Sequence, residues 1–521
     1  MNSHSLPFRR FILAAAGATL LPFAAQADVS LPALFSEHMV LQRDQPVPVW
    51  GWAEAGEAVS VSIGRQAKNT KADANGKWSV KLDKLSAGEP TTLTVKGKNT
   101  ISVSDVLVGE VWLCSGQSNM EFVVQRANDF EKEKAAAALP KIRMFTVSSG
   151  PAAEPQDKCQ GKWVVCAPET VGGFSAAGFF FGRELHAKLK VPVGLIHSSV
   201  GGTPIEAWTS MEAQKDLPEL KPLFTSWEQR IASWNPTVAR EQFEKQKAAW
   251  ETAAAQAKTE GKPAPPEPRI ATDPGATSGR PGNLFNGKIA PLIPYALRGA
   301  IWYQGESNAD TVERGLAYRK QLPLLIADWR KRWAQVDFPF GWVQLPEYVA
   351  RNSDGWALVQ EAMLATLKVP RTGMAEALGL GDAHDIHPKA KQEVGRRLAL
   401  WALAKVYGQK GPASGPLYAG SRVTGSAVTI GFTDTDGGLV AKDGAPKGFV
   451  IAGADKQWKP ATAKITGDKV VVSSAEVKAP VAVRYAWGSN PEFNLFNGAG
   501  LPASPFRTDD WAIAPAAPPK P

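Results

Sequence analysis

The sequence predicts an α/β protein in which a parallel β-sheet with helices on both faces is flanked by β-rich regions. Apolar runs of strand length alternate with helix-period segments through the middle of the chain, as in sheets covered by helices. Short alternating strands, punctuated by Gly, Pro and Asn, precede and follow that middle region. The chain has 521 residues, too many for one hydrophobic core, so several domains are expected.

Residues 1–27 form a predicted export signal rather than part of the fold. Arg9 and Arg10 precede an apolar run at 11–23, and Ala25-Gln26-Ala27 is a small-residue cleavage site. The run is too short to span a bilayer, and the arginine pair fits either a general secretory or a twin-arginine signal. We therefore expect a periplasmic or secreted protein that has no membrane attachment after signal cleavage.

Residues 28–104 are predicted to form an N-terminal β-sandwich domain. A turn is expected at 73–76, where the sequence Asp-Ala-Asn-Gly has the residues that tight turns favour. Strands are predicted at 47–52, 58–63, 78–82 and 92–95. None of these segments carries a recognisable catalytic pattern.

Residues 105–408 form the predicted catalytic domain. Its strands are predicted at 106–114, 191–198, 297–303, 338–345 and 374–380, and its helices at 176–189, 314–333, 354–367 and 389–407. A charged, helix-prone segment at about 211–275 is interpreted as an insertion with a Pro-rich end. Whether this insertion covers the active site is left open by the sequence.

A second β domain is predicted at 409–513, where short alternating strands return. Those strands are expected at 427–431, 469–473 and 481–485. The final segment, 514–521, is rich in Pro and Ala and is expected to be disordered.

Polar segments follow four strands of the predicted sheet. They are the small-residue turn at 115–119 and the segments 199–203, 304–308 and 381–388. The carboxyl ends of parallel strands meet at one edge of a sheet, where open α/β folds bind their ligands. Ser118 is the candidate nucleophile, and such a serine needs a nearby base and donors for the developing oxyanion. The four segments together favour a hydrolase site.

Four sequence blocks resemble those of the SGNH hydrolase superfamily. They are GQSNMEF, GGTPIEAW, QGESN and DIHPKAKQEVGRRLAL, and they are most similar to the sialate O-acetylesterase family of carbohydrate acetylesterases. The likeness covers nearly all of the mature chain, including LPALFSEHMVLQRDQPVPVWG near the N-terminus. This resemblance implies a flavodoxin-like α/β core and hydrolysis of sugar acetyl esters through an acyl-enzyme.

The same resemblance implies roles for individual residues. Ser118 would be the nucleophile and His387 the base. The oxyanion would be held by the Ser118 N–H, by a backbone N–H of Gly201 or Gly202, and by one side chain of the third block. That side chain is expected to be Gln304, with Asn308 as the alternative.

The acid that orients the histidine is the point at which the sequence departs from the family pattern. SGNH hydrolases usually place an aspartate three residues before the histidine, but here that position is His384. Asp385 lies two residues before His387 and Asp382 five before it. Asp385 is preferred because side chains two apart point the same way in an extended segment. Asp382, at the end of the preceding strand, is the alternative acid, and a Ser–His dyad is the third possibility.

Candidate substrate-binding residues are Trp208, Tyr303 and Glu306, while Trp302 is expected in the core because it lies inside a strand. The sugar itself is open, since xylan, pectin or another acetylated glycan would also fit. Sialic acid would require a cation facing its carboxylate, and the sequence alone cannot place one.

Cysteine spacing predicts a Cys159–Cys166 disulfide in an oxidising compartment, whereas Cys114 is expected to be a small buried side chain. The acids and histidines at 382–387 are too crowded in one loop for a convincing metal site, so neither a metal-dependent deacetylase nor any cofactor is expected.

The remaining function classes are less favoured. A non-catalytic carbohydrate-binding protein would need no Ser–His pair. The net charge is +9, but Lys and Arg are scattered, so no nucleic-acid partner is expected. The oligomeric state is open.

Overall fold

The computed structural model describes Met1 and residues 28–335 and 337–514. The rest of the predicted export signal, and residues 515–521 of the predicted tail, lie outside the described residues. Among the helices that are described, none is both long and apolar enough to cross a membrane.

The N-terminal region is built from β-strands, as predicted. The strands are β1 (Val40–Gln42), β2 (Val47–Trp52), β3 (Ala58–Ile63), β4 (Gln66–Lys71), β5 (Lys77–Leu82), β6 (Thr91–Lys96) and β7 (Thr100–Gly116). β2 pairs with β5, while β3 pairs with β4 and β6, and β6 pairs with β7. The turn before β5 is confirmed, since the Gly76 N–H donates to Asp73 O at 3.0 Å. β4 was not predicted because its sequence, QAKNTK, has no apolar alternation.

β7 belongs to two sheets at once. Its first half pairs antiparallel with β6, and its second half runs into the central parallel sheet. Burial follows this change: residues 106–116 are all buried, as expected for a strand covered on both faces. The predicted boundary between residues 104 and 105 falls inside this single strand.

The central sheet has the predicted parallel arrangement. Its other strands are β8 (Leu139–Thr146), β9 (Trp163–Cys166), β10 (Val193–Ser199), β11 (Gly299–Tyr303), β12 (Phe340–Gln344) and β13 (Thr372–Glu376). The order is β13-β12-β11-β7-β10-β8-β9. Taken in chain order, β7, β10, β11, β12 and β13 are arranged 2-1-3-4-5, the flavodoxin-like order. β8 and the antiparallel β9, which were not predicted, extend the edge beyond β10.

Helices cover both faces of this sheet. The α-helices of the described chain are α1 (Ser118–Glu121), α2 (Phe130–Ala135), α3 (Ala176–Leu189), α4 (Met211–Gln214), α5 (Lys221–Ala232), α6 (Pro236–Thr259), α7 (Val312–Arg332), α8 (Ser353–Thr366) and α9 (Lys391–Trp401). α7 and α8 contribute to one apolar core, and α3 and α9 to a second core. α3 matches its predicted range because Ser175 caps it, accepting a hydrogen bond from the Gly178 N–H.

The predicted insertion is helical and largely exposed. α5 has no buried residue, and Ala239 is the buried residue of α6. The indole N–H of Trp250 donates to Pro265 O at 2.7 Å, which folds the Pro-rich end back onto α6. The insertion is absent from the lining of the groove at His387 described below.

The C-terminal region forms a second set of antiparallel sheets, as predicted. Its strands are β14 (Leu417–Thr424), β15 (Ala427–Thr433), β16 (Leu439–Ala441), β17 (Phe449–Ala452), β18 (Trp458–Pro460), β19 (Thr462–Thr466), β20 (Lys469–Ser473), β21 (Ala482–Tyr485), β22 (Leu495–Asn497) and β23 (Phe506–Arg507). Two four-stranded sheets, β14-β15-β20-β19 and β18-β17-β21-β23, share one apolar core. Arg507 joins this region to α8 through Glu361, with Nε and Oε2 2.6 Å apart.

A buried carboxylate at the amino end of the central sheet pairs with arginines from two distant parts of the chain. Glu110 of β7 is fully buried, and its oxygens lie 2.6 Å from both Arg43 Nε and Arg298 Nε. Burial by itself would raise the pKa of Glu110, but the ion pairs outweigh it and hold that pKa below its usual value. Glu110 is therefore charged, and each of its carboxylate oxygens is paired with an arginine.

The predicted Cys159–Cys166 disulfide is absent from the structure, where all three cysteines are free and buried. Cys166 ends β9 opposite Leu139, whereas Gln160, next to Cys159, lies beside Ser148 at the other end of β8. The two cysteines therefore lie toward opposite ends of the β8–β9 pair, with the extended β9 between them. Cys114 is fully buried, as predicted.

Candidate active site

Ser118 lies at the carboxyl end of β7, on the turn that leads into α1. Gly116 makes this turn possible: its φ is +143°, and a Cβ there would lie 2.1 Å from Tyr303 O. The Gln117 N–H then donates to the same carbonyl at 2.9 Å. The close approach of two backbones therefore fastens the serine turn to β11.

His387 is brought to Ser118 from the loop before α9. Its Nε2 lies 2.8 Å from Ser118 Oγ, which is hydrogen-bond distance for a base and its nucleophile. Burial lowers the pKa of His387, and the nearby charges of Lys391 and Arg126 lower it further, against the opposing effect of Asp385. The imidazole is therefore neutral near pH 7 and able to accept a proton.

Of the two candidate acids, Asp385 is the one beside the imidazole. Its Oδ1 lies 3.7 Å from His387 Nδ1 and accepts a hydrogen bond from the His387 N–H at 2.8 Å. Asp382 is turned toward the loop backbone, where its Oδ1 accepts from the N–H groups of His384 and Asp385. The contact from Asp385 to Nδ1 is longer than a hydrogen bond.

The glycine loop after β10 lies against Ser118. A Cβ on Gly201 would lie 3.3 Å from Ser118 Cβ. The Gly201 N–H is occupied, because it donates to Glu121 Oε2 at 2.8 Å. The N–H groups of Ser118 and Gly202 have no acceptor within the described residues.

Gln304, expected to complete the oxyanion hole, and its alternative Asn308 both have other hydrogen-bond partners. Gln304 Nε2 donates to Asn308 Oδ1 at 2.7 Å and to Thr203 O at 3.3 Å. Asn308 Nδ2 donates to Glu206 Oε2 at 3.0 Å. Both side chains are buried and bind each other, so in this structure neither is free to reach an oxyanion.

The three candidate substrate-binding residues are also buried. Trp208 packs edge-on against Trp302 in the core, and its indole N–H donates to Thr203 Oγ1 at 3.0 Å. Tyr303 lies within β11 with no exposed surface. Glu306 Oε1 accepts a hydrogen bond from Asn119 Nδ2 at 2.6 Å. Trp208 and Tyr303 therefore have no surface with which to contact a bound sugar, whereas Glu306 is 8% exposed. The core position predicted for Trp302 is confirmed.

Sequence reasoning missed several residues that shape the site. Glu347, just after β12, accepts hydrogen bonds from the N–H groups of Gly379 and Gly381 and so holds the start of the histidine loop. Lys391 is fully buried beneath that loop. The burial of Lys391 could have been predicted, because it lies three residues before Val394 and so shares the apolar face of α9.

A groove of about 350 Å³ opens beside His387. Its lining residues are Asn128, Gly379, Leu380, Gly381, Asp382, Asp385, His387, Pro388, Lys389 and Ala390. Arg126 is exposed nearby, with its guanidinium 4.7 Å from the centroid of the Phe122 ring. In the described part of the chain Arg126 has no carboxylate partner, and no group of three or more His, Cys, Asp or Glu side chains is arranged to hold a metal.

Comparisons with known proteins agree with this geometry. A family model described as carbohydrate esterase, sialic acid-specific acetylesterase matches residues 108–233 and 287–404, which include Ser118 and His387. The rat sialate O-acetylesterase is 32% identical over 534 residues, covering 90% of this chain and 92% of the relative. The human sialate O-acetylesterase is 29% identical, covering 94% of this chain and 95% of the relative.

A solved structure extends the likeness to three dimensions. A carbohydrate acetylesterase from Xanthomonas citri is 37% identical and superimposes with a TM-score of 0.79, covering 93% of this chain and all of that one. The flanking β regions are therefore included in the match, as well as the central sheet. The chain belongs to the sialate O-acetylesterase family of carbohydrate esterases and is a carboxylic ester hydrolase.

Proposed function

We propose that the protein removes O-acetyl groups from sugars through an acyl-enzyme on Ser118. His387 Nε2 takes the proton of Ser118 Oγ as that oxygen attacks the acetyl carbonyl. Collapse of the tetrahedral intermediate breaks the ester bond, and the sugar hydroxyl leaves with the proton from His387. Water, deprotonated by the same imidazole, then attacks the acetyl-serine and releases acetate.

The oxyanion of each tetrahedral intermediate would be held by backbone donors. The N–H groups of Ser118 and Gly202 are free to serve, and Gly201 joins them when the Glu121 carboxylate moves away. Preorganised backbone donors are effective because they need no reorganisation during the reaction. Asp385 would stabilise the imidazolium that forms on His387.

The observation that carries this proposal is the 2.8 Å contact between His387 Nε2 and Ser118 Oγ at the carboxyl edge of the sheet. Ser118→Ala should lower kcat for acetate release by roughly a thousand-fold to a million-fold while leaving the thermal melt unchanged. A fluorophosphonate probe should label Ser118 in the wild type and nothing in the variant. Retention of a tenth of the activity by Ser118→Ala would reject the mechanism.

The proposed substrate is an O-acetylated sialic acid, because the charge of Arg126 lies close enough to act on His387 beside the groove. Arg126 is exposed, and its neighbour Asn128 both lines the groove and donates its N–H to Lys389 O at 3.1 Å. A guanidinium suits a sugar carboxylate, which it can bind through two parallel hydrogen bonds. Acetylated xylan is the second candidate, since its neutral sugar residues would fit the same groove without a cation.

A substrate panel separates these two candidates. Arg126→Gln should lower kcat/KM for O-acetylated sialic acid by roughly ten-fold and leave acetylated xylo-oligosaccharides within about two-fold of wild type. An equal loss on both substrates would remove the argument for an anionic sugar. Absence of acetate release from sialic acid in the wild type, with release from xylan, would favour the second candidate.

We also propose that the protein is exported and works in the periplasm or outside the cell. This rests on the signal pattern at residues 1–27. Purification from the periplasm should yield a chain that begins at Asp28, as measured by intact mass. A chain that keeps Met1 in the cytoplasmic fraction would refute export.

A further inference from the structure

A buried polar cluster of Asn119, Glu306 and Lys391 lies beneath the Ser118–His387 pair. Lys391 Nζ donates to Asn119 Oδ1 at 2.6 Å, and Asn119 Nδ2 donates to Glu306 Oε1 at 2.6 Å. Lys391 and Asn119 have no exposed surface. Burying a charged lysine is unfavourable unless its contacts compensate for the lost hydration, so Lys391 depends on these hydrogen bonds.

The cluster holds the backbone on both sides of the catalytic histidine. Asn119 Nδ2 donates to Ile386 O at 2.9 Å, and Lys391 Nζ donates to Pro388 O at 2.7 Å. These two carbonyls belong to the residues immediately before and after His387. Because Asn119 directly follows Ser118, a single hydrogen-bonded chain connects the nucleophile's turn to the loop that carries the base.

The surroundings of Lys391 favour a defined position for its amine. Nζ lies 4.8 Å from the Phe122 ring centroid and 5.2 Å from that of Tyr303. Burial lowers the pKa of Lys391 to about 7, and burial raises the pKa of Glu306 above its usual value. Glu306 Oε2 has no partner among the described residues. The amine is thus held by two oxygens and two rings, within electrostatic reach of His387.

We propose that Lys391 is a positioning residue for the esterase reaction, acting through Asn119 and the Pro388 carbonyl to set the distance between Ser118 Oγ and His387 Nε2. The proposal rests on the acyl-enzyme mechanism given above. Displacing a catalytic group by about 1 Å can lower turnover by about a hundred-fold. Lys391 touches neither the substrate nor the reacting atoms, so its effect should fall on kcat rather than on KM.

The chain supplies a matched control in Lys288. This lysine is also buried, and its Nζ also donates to two carbonyls, Val147 O at 2.6 Å and Ser149 O at 3.0 Å. Lys288→Met therefore removes the same kind of contact without touching the histidine loop. Any loss that comes only from deleting a buried lysine should appear in both variants.

The experiment compares Lys391→Met with Lys288→Met by thermal melt, by acetate release and by the pH dependence of kcat/KM. Lys391→Met should lower kcat by roughly 30- to 300-fold with KM within about three-fold of wild type. It should also move the acid limb of the profile to higher pH, because loss of a neighbouring positive charge raises the pKa of His387. Lys288→Met should keep kcat within about three-fold and leave the limb in place.

Two results would overturn the proposal. One is a folded Lys391→Met variant with kcat within about three-fold of wild type, and the other is an equal loss of kcat in the two lysine variants. If Lys391→Met does not fold, Lys391→Gln decides, since its shorter amide can donate to one of the two oxygens. An intermediate kcat supports the role, and wild-type kcat with an unmoved acid limb rejects it.

The Ser118→Ala variant separates this inference from the proposed mechanism. If that variant stays active, the acyl-enzyme mechanism is wrong and the positioning role is rejected with it. If Ser118→Ala is inactive while Lys391→Met behaves like wild type, the positioning role alone is rejected.

Discussion

Replacement of Asp385 by asparagine tests how the histidine is oriented. The change removes one negative charge next to His387 while keeping the shape of the side chain. The amide oxygen of the new side chain could still accept the hydrogen bond that the His387 N–H now donates at 2.8 Å. The loop should therefore keep its conformation, and the measured effect should come from the lost charge.

The size of the effect follows from the distance and the exposure of the pair. At 3.7 Å two unit charges attract by about 1 kcal/mol in water and by about 4 kcal/mol at an effective dielectric constant near 20. His387 and Asp385 side chains are 31% and 48% exposed, so solvent screening favours the lower part of that range. We expect a stabilisation of the imidazolium of about 1–3 kcal/mol, which corresponds to a loss of roughly 5- to 150-fold in kcat/KM.

This loss is smaller than the roughly ten-thousand-fold loss known for a buried aspartate that hydrogen-bonds Nδ1 directly. The assay is acetate release as a function of pH, with folding checked by thermal melt. Because Asp385 raises the pKa of His387, its removal should also move the acid limb to lower pH. At pH 8, above the limb in both proteins, the remaining difference measures transition-state stabilisation alone.

Asp382→Asn is the control, since Asp382 receives only backbone N–H groups and an amide oxygen can accept them equally well. It should stay within about three-fold of wild type. A larger loss for Asp382→Asn than for Asp385→Asn would show that the loop rearranges and that Asp382 is the acid. If both variants stay within about three-fold, the site works as a Ser–His dyad.

Further expectations concern charge and burial. Glu121→Gln should raise kcat/KM for anionic acetylated sugars by about two- to five-fold relative to neutral ones, because it removes a like charge near the nucleophile. Glu110→Gln should lower the free energy of unfolding by about 3–5 kcal/mol near pH 7, because it leaves Arg298 without its buried partner. Since the pKa of Glu110 is lowered on folding, its contribution is present above about pH 4.3 and is lost as the pH falls through the folded pKa. Thermal melts of the two proteins should therefore converge in acid. Cys159 and Cys166 should resist iodoacetamide in the native protein and react after unfolding without reductant, because burial raises their pKa values to about 11 and about 12; mass spectrometry would show the change.

The sequence predicted that Ser118 and His387 would meet, because their positions depend on topology. Ser118 follows a buried strand at a glycine turn, and His387 precedes a helix after the last strand of the sheet. In a parallel sheet such positions meet at one edge whatever the details of packing. Strand β2 and helix α3 could also be predicted, since the alternation of β2 and the serine cap of α3 are local sequence signals.

Side-chain direction could not be predicted in the same way. In this structure the Gln304 amide donates to Asn308 and to the Thr203 carbonyl. Because Thr203 is distant in sequence, this contact could not be predicted from a local pattern. Trp208, which was expected to bind sugar, is buried in this structure. An aromatic residue after a glycine loop has the same sequence pattern whether it faces solvent or the core. Cysteine spacing likewise gives the length of the segment between Cys159 and Cys166 but not its conformation. That segment contains the extended strand β9, and both thiols are free.

The continuity of β7 bears on how the molecule unfolds. One backbone of 17 residues is hydrogen-bonded to the antiparallel sheet at its start and to the parallel sheet at its end, where Ser118 follows. Unfolding of the N-terminal β region therefore removes the partner strand from the first half of β7, whose second half is an interior strand of the catalytic sheet. We expect the two to unfold in a single cooperative transition, and a chain shortened to start at residue 105 to lose the folded active site along with the β domain. In this sense the N-terminal region is an inseparable part of the enzyme's cooperative unit.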